Sequence, residues 1–217
     1  MNKRLLLTVL FIYYFQKSFS LNNNYPYNPN IHNLGNIGWK GKFHAKLANV
    51  FIEQADKNLY KYSIRERIIN TQDYRKSILD IGCGVGYSTQ YNPKSLGIDT
   101  SPEMIAQAKS NFPKKNFKIG HAEFFKSQYK FDIVTSMFLL HEVPQEHRIN
   151  IIKNAMKNCK EKIIIVDIAS NYKASPFMLA GEPYLKDYLK NIDKDLSLFR
   201  KYIIKENHVH MWVFDYS

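Results

Sequence analysis

The sequence predicts an α/β fold, a mostly parallel sheet with helices on both faces. Three observations carry this expectation. Short apolar runs at residues 77–81, 95–99, 116–120, 131–136 and 162–168 alternate with segments of helical pattern. Strands that alternate with helices require right-handed crossovers, which cover both faces of a parallel sheet. Glycines at 82, 84 and 86 come directly after the first run, where backbone must turn sharply or approach a ligand.

Residues 1–20 open with the basic MNKR, continue with an apolar run of 11 residues (Leu5 to Phe15) and close on SFS. This is the layout of a secretory signal segment, and the run is too short for a comfortable membrane span. The expectation is entry to the secretory route or an organelle reached through it, with no stable span in the mature chain. A cytoplasmic or membrane-tethered protein is the alternative. Residues 21–38, rich in Asn, Pro and Gly, read as an extended arm. Phe43, Leu47, Val50 and Phe51 recur at helical spacing and mark the expected core face of a first helix. SIRE at 63–66 is a capping box that starts a second helix at Ile64. Ser101, Pro102 and Glu103 form the start of a helix after the second strand. Residues 144–158 form another, with Ile149, Ile152 and Met156 on one face. Residues 170–196 read as a helical insert, and the remaining tail as a closing hairpin. The whole divides into a helical cover (39–70), a binding core (75–170) and a substrate-side insert (170–196) within one domain, 39–217.

Composition narrows the partners. The net charge is +12, carried by 25 Lys against 6 Arg. Arginine is the better residue for bidentate phosphate and base recognition, so nucleic acid is not the expected partner. The two cysteines, Cys83 and Cys159, read as small buried residues rather than a disulfide or a metal site. His208 and His210, two apart, are expected to share a face of a strand, but they have no evident companion ligands, so no metal site is expected.

The glycine run excludes one ligand class. A dinucleotide site wants G-x-G-x-x-G, but here the third glycine comes one residue early and Tyr87 takes its place. Asp80, two residues before the first glycine, would repel a pyrophosphate and attract a cation. Asp99 ends the second strand and can accept from both ribose hydroxyls. These residues together fit a cationic nucleoside without phosphate, and S-adenosylmethionine is such a ligand.

LDIGCGVG (79–86), GIDTSPEMI (97–105) and FDIVTSMFLLHEVP (131–144) resemble motifs of the class I S-adenosylmethionine-dependent methyltransferases, with most similarity to the type 11 domain. The resemblance covers about residues 75–170. It implies a Rossmann-like three-layer sandwich whose seven-stranded sheet has one antiparallel C-terminal strand, with the cofactor at the carboxyl ends of the first two strands. It also implies roles. Gly82, Gly84 and Gly86, with Cys83 among them, lie against the methionine part, and Asp80 helps hold its amino end. Asp99 binds the ribose. Thr100 and Met104 flank the adenine, Ala122 meets it through backbone N–H, and Ser136 and Met137 line the methionine side. His121 stands where the family often has an acid, and its neutral imidazole can accept from the adenine amino group. His141, after the fourth strand, is the candidate general base. Only ten residues separate Gly86 from Gly97, so the first crossover helix is expected to shrink to about one turn, limited by Pro93.

Trp39, Phe43, Tyr60, Tyr184 and Tyr188 form either an aromatic lid or plain core. His44 faces either the cleft or solvent. The chain lacks the Asn/Asp-Pro-Pro-aromatic tetrad and the Pro-Cys nucleophile of DNA methylases, which favours a small-molecule acceptor at O, N or C. An RNA or protein methylase, or an inactive cofactor- or partner-binding relative, is the alternative. The oligomeric state is not legible.

Overall fold

The computed structural model describes residues 38–55, 58 and 60–216. The signal-like segment 1–20 and most of the arm at 21–38 lie outside the described residues. Helices α1 (Gly38–Ala55) and α2 (Ile64–Asn70) precede strands β1 (Ile78–Ile81) and β2 (Leu96–Asp99). Then come α3 (Pro102–Asn111), β3 (Phe117–Ile119) and β4 (Phe131–Met137). A short 3-10 turn (Leu140–Glu142) leads into α4 (Gln145–Asn158) and β5 (Cys159–Ile168). The insert holds α5 (Pro176–Gly181) and α6 (Leu185–Asp195), and β6 (Arg200–Lys205) with β7 (Val209–Asp215) closes the chain as a hairpin.

The seven strands form one sheet in the order β3-β2-β1-β4-β5-β7-β6. β7 runs antiparallel to both neighbours, and the remaining pairings are parallel. β1 lies between β2 and β4, so Leu79 pairs with Leu96 on one side and Val134 on the other. The chain reverses its direction of build at this point, which leaves a crevice at the strand ends.

Alternation along β5 assigns the two cores. Ile163 and Ile165 pack with Ile151, Ile152 and Ala155 of α4, Tyr188 and Ile192 of α6, and Trp212. Ile164 and Val166 point the other way and pack with Ile64, Ile68 and Ile69 of α2. A strand buried on both faces must be apolar throughout, which is why IIIV reads as a continuous run. The expected helix caps are present: Ser63 Oγ accepts from the Glu66 N–H at 3.3 Å, and Ser101 Oγ from that of Met104 at 3.2 Å.

The structure corrects four expectations. The first crossover contains no helix; residues 82–95 are turns tied by side chains, with Asn92 Nδ2 donating to the Tyr74 carbonyl at 2.7 Å. β5 starts at Cys159 rather than 162, because a register shift lets Cys159 pair with Phe131. α1 does not bury Phe43 and Val50, which are exposed. It meets the core through Ala45, Ala48 and Ile52, packed on Val85, Tyr87 and Met104. Small residues let the helix approach the glycine loop closely. His208 falls in the turn before β7, against the rings of Tyr60 and Tyr172, and shares no strand face with His210.

Candidate active site

The glycine loop owes its form to the geometry at the end of β1. Gly84 has φ +50°, a conformation glycine adopts without strain, and a Cβ there would meet nothing within 4 Å. Its backbone therefore forms open wall. Gly86, at φ +94°, is different: a Cβ would come within 2.8 Å of the Phe117 ring, so its glycine is demanded by packing.

Two acids position this loop. Asp80 is fully buried and accepts from Ser88 Oγ at 2.8 Å, Thr89 Oγ1 at 2.6 Å and Thr135 Oγ1 at 3.1 Å. Burial pushes its carboxyl upward, and the three hydroxyls oppose that shift. Asp99 accepts from the Gly84 N–H at 3.0 Å and the Ser101 N–H at 2.9 Å. Burial pushes it up to about 6, against the pull of these two hydrogen bonds. Asp99 thus joins the glycine loop to the N-terminus of α3.

A cavity of about 570 Å³ opens at the carboxyl ends of β1, β2 and β4. Gly82, Cys83, Gly84, Asp99, Thr100, Met104 and Met137 line it, as does His141. The other expected residues stand back from its wall. Asp80 and Gly86 lie behind the loop. The Ala122 carbonyl accepts from Asn154 Nδ2 at 2.7 Å, and His121 packs on Phe124. Ser136 Oγ is buried without a hydrogen-bond partner.

His141 is 4% exposed and sits in the 3-10 turn after β4. Its Nδ1 is 2.6 Å from Asp167 Oδ1 at the end of β5, leaving Nε2 as the free ring nitrogen. Asp167 also accepts from the N–H groups of Leu140 (2.8 Å) and Ile168 (2.7 Å), so its carboxylate is held on several sides. Burial disfavours the imidazolium, but the Asp167 charge and hydrogen bond outweigh it and raise His141 to about 9. Glu142 and Glu182 add to the same effect. Behind the turn, fully buried Arg148 donates to Val143 O (3.0 Å), Asp195 Oδ2 (2.7 Å) and Asp187 Oδ2 (3.0 Å), fastening α6 to it.

Several lining residues escape the sequence reading. Arg65 of α2 reaches the cavity with its guanidinium 4.3 Å from the Phe138 ring centre. Phe138 itself has φ 60°, a strained conformation for a bulky residue that places it at the cavity wall. Leu139, which also lines it, escapes the sequence reading too, as does Asp167 behind His141, although an acid ending an apolar strand, VDI beside LDIG, is a readable signal. His44, on the buried side of α1, faces the cavity rather than solvent. None of the five aromatics expected as lid or core lines it; Tyr188 is core, with its OH donating to Ile168 O at 2.6 Å.

The strand order, the reversed seventh strand, the glycine loop and the acid ending β2 define the class I methyltransferase architecture. Comparison with known proteins agrees. Residues 78–162 match the family model described as a methyltransferase domain. The ubiquinone biosynthesis O-methyltransferase of Coxiella burnetii is 28% identical over 148 residues, covering 63% of this chain and 61% of that one. A putative methyltransferase, 235L, of Invertebrate iridescent virus 6 is 33% identical over 100 residues, covering 43% and 38%. The chain spans about three fifths of the length of the Coxiella relative, 61%. The TehB-like SAM-dependent methyltransferase from Corynebacterium glutamicum superposes with a TM-score of 0.56 at 18% identity, over 81% of this chain and 99% of that one. The PH0226 protein from Pyrococcus horikoshii does so with 0.56 at 18%, over 79% and 99%. Residues 78–162 are thus similar to a methyltransferase domain, and the fold is the one seen in S-adenosylmethionine-dependent methyltransferases.

Proposed function

We propose that this chain transfers the methyl group of S-adenosylmethionine to a small organic acceptor. The observation that carries the reading is the meeting of three groups around one cavity: the open backbone of Gly84, the carboxylate of Asp99 and the ring of His141. The residues present fit the cofactor. Gly84 leaves a Cβ-free wall, Asp99 keeps acceptor capacity beyond its two backbone bonds, and Arg65 offers a cation for a carboxylate.

When bound, S-adenosylmethionine would supply a methyl group on a sulfonium, whose carbon a nucleophile attacks in line as the neutral thioether leaves. The protein's part is positioning. Asp99 accepts from the ribose hydroxyls, and Thr100 and Met104 flank the adenine. His141, with Nδ1 tied to Asp167, presents Nε2 to the acceptor. Its raised pKa makes it a hydrogen-bond donor at neutral pH, suited to an acidic oxygen that arrives ionised; an acceptor with a neutral proton must lose it to the small neutral fraction of His141 or to solvent. The acceptor atom, O, N or C, is thus read as oxygen first. The Coxiella relative, an O-methyltransferase by name, agrees with that order.

Titration calorimetry of the chain with S-adenosylmethionine, S-adenosylhomocysteine and NAD tests the cofactor. Micromolar binding of the first two with none of NAD is expected. A folded chain that binds neither of the first two would refute the reading and favour a partner-binding relative.

A further inference from the structure

The exposed face of α1 carries an unusual pairing of side chains. Trp39, Phe43, Lys46 and Val50 stand at i, i+4, i+7 and i+11, which is one stripe of a helix. All point to solvent: Trp39 is 68% exposed, Phe43 52% and Val50 59%. Lys42 flanks the stripe, also exposed, and lines a groove with Trp39, Phe43 and Lys46. The opposite side, Ala45, Ala48 and Ile52, is the packed one. A soluble helix ordinarily turns its large apolar residues inward and its small ones outward or into close contacts. Here Trp39, Phe43 and Val50 face outward while Ala45 and Ala48 face inward, with Leu47 and Ile52 the large apolar residues on the inner side.

The charges that α1 itself brings to this face have one sign, although Glu103 of α3 lines the same groove. α1 contains Lys40, Lys42 and Lys46 and no acid before Glu53. The nearest acid on the neighbouring helix, Glu103, is occupied at the start of α1, where its Oε1 accepts from the Gly38 N–H at 2.7 Å. The chain as a whole adds +12. Aromatic and aliphatic side chains flanked by lysines are what an anionic lipid surface receives: rings enter the headgroup boundary while ammonium groups meet the phosphates. A polyanion such as RNA would use the lysines but leave Val50 and most of the apolar area without a partner. No helix among the described residues is long and apolar enough to cross a membrane.

We infer that the exposed face of α1 docks on an anionic lipid surface. Docking of this face is independent of methyl transfer, since it uses none of the cavity-lining side chains. It has a structural consequence for them: His44, Leu47, Ala48 and Ile52 of the same helix form one wall of the cavity, so docking would hold that wall in place.

The chain reports on its own docking. It has two tryptophans, and Trp212 is buried at 1% exposure, so a change in emission on lipid binding comes from Trp39. The full chain is titrated with vesicles of phosphatidylcholine and phosphatidylglycerol, and with phosphatidylcholine alone. A blue shift and co-sedimentation with the anionic vesicles are expected, with at least about tenfold weaker partitioning for Lys42→Glu/Lys46→Glu. Phe43→Ala/Val50→Ala should weaken it similarly while keeping the Trp39 signal. These residues are exposed, and unchanged circular dichroism and Trp212 emission check the fold. Absence of vesicle binding would overturn the inference. So would binding that both double variants retain, since another segment would then be responsible. Tighter, lysine-dependent binding of RNA, or self-association abolished by the same variants, would give the face to a nucleic acid or a second copy instead.

Discussion

His141 Nδ1 lies 2.6 Å from Asp167 Oδ1, with both side chains buried where the ends of β4 and β5 meet the cavity. The pair is made by topology: β4 and β5 are parallel neighbours, so the turn after β4 and the last residues of β5 converge. Its consequences are measurable.

The first concerns stability. His141 is raised from 6.5 to about 9, by Asp167 against the opposing effect of burial. A raised histidine contributes fully below its unfolded pKa and loses the contribution as pH rises through the folded one. The window is therefore 6.5 to about 9, worth about 3 kcal/mol. Urea denaturation of wild type and His141→Gln across that window should show the difference between them shrinking by about this amount. A constant difference would mean that the imidazole is neutral throughout.

Asp99 should govern cofactor affinity. Asp99→Ala is expected to weaken S-adenosylhomocysteine binding by about 1.5–3 kcal/mol, the value of hydrogen bonds to a charged group. Burial holds the acid at about 6, and the ribose hydroxyls need its ionised form. Wild-type affinity should therefore fall as pH drops through about 6, while that of Asp99→Ala should not track this titration. Calorimetry at several pH values reads both; unchanged affinity in a folded Asp99→Ala chain would move the cofactor elsewhere.

The two glycines should separate binding from folding. Gly84→Ala meets no atom and pays mainly for its positive φ, about 1–2 kcal/mol, yet it puts a methyl group into the cavity wall. Gly86→Ala adds a clash with Phe117 at 2.8 Å to the same backbone strain. Overpacking should bring its total to about 3 kcal/mol or more. Thermal melts with calorimetry are expected to show Gly84→Ala folded but poor in binding, and Gly86→Ala substantially destabilised.

Arg148→Met should cost about 3 kcal/mol, because it leaves the Asp195 carboxylate, whose side chain is buried, without its cation and with only Gln145 as donor. Losing the link between α6 and the 3-10 turn should also broaden the environment of His141. Denaturant midpoints give the first effect, and the imidazole resonances in NMR spectra the second.

Much of the fold is local enough to read. The strand runs, the caps at Ser63 and Ser101 and the helix over 102–111 depend on neighbours a few residues apart. So does the glycine loop, whose φ values are a property of its own backbone. The expected cavity residues divide on a different principle. Gly82, Cys83, Gly84, Asp99, Thr100, Met104, Met137 and His141 lie at the strand ends, in the turns that follow them or in the first turn of α3, and reach the cavity. Asp80 lies within the same strand motif, but its carboxylate is enclosed by Ser88 and Thr89 of the loop folding back over it and by Thr135 of the neighbouring β4, contacts that the spacing of the glycines does not reveal. Arg65 and Phe138 meet through the docking of α2 on β4, and nothing local to either announces it.

α1 draws the boundary most clearly. Its helical period is written in the sequence, and so is the choice between apolar stripes: Phe43, Leu47 and Val50, or Ala45, Ala48 and Ile52. Periodicity favours the bulkier stripe, since burying it removes more apolar surface from water. The tertiary structure turned Phe43 and Val50 outward and kept Leu47 at the cavity wall, because the space beside Val85, Tyr87 and Met104 admits a helix only at close range. The sequence by itself determined the α/β layering, the parallel core of the sheet and the chemistry available at the strand ends, since these arise from short-range pattern. Which acid partners His141, which cation reaches the cavity and which face of α1 meets solvent were decided only in three dimensions, where residues far apart in the chain compete for the same volume.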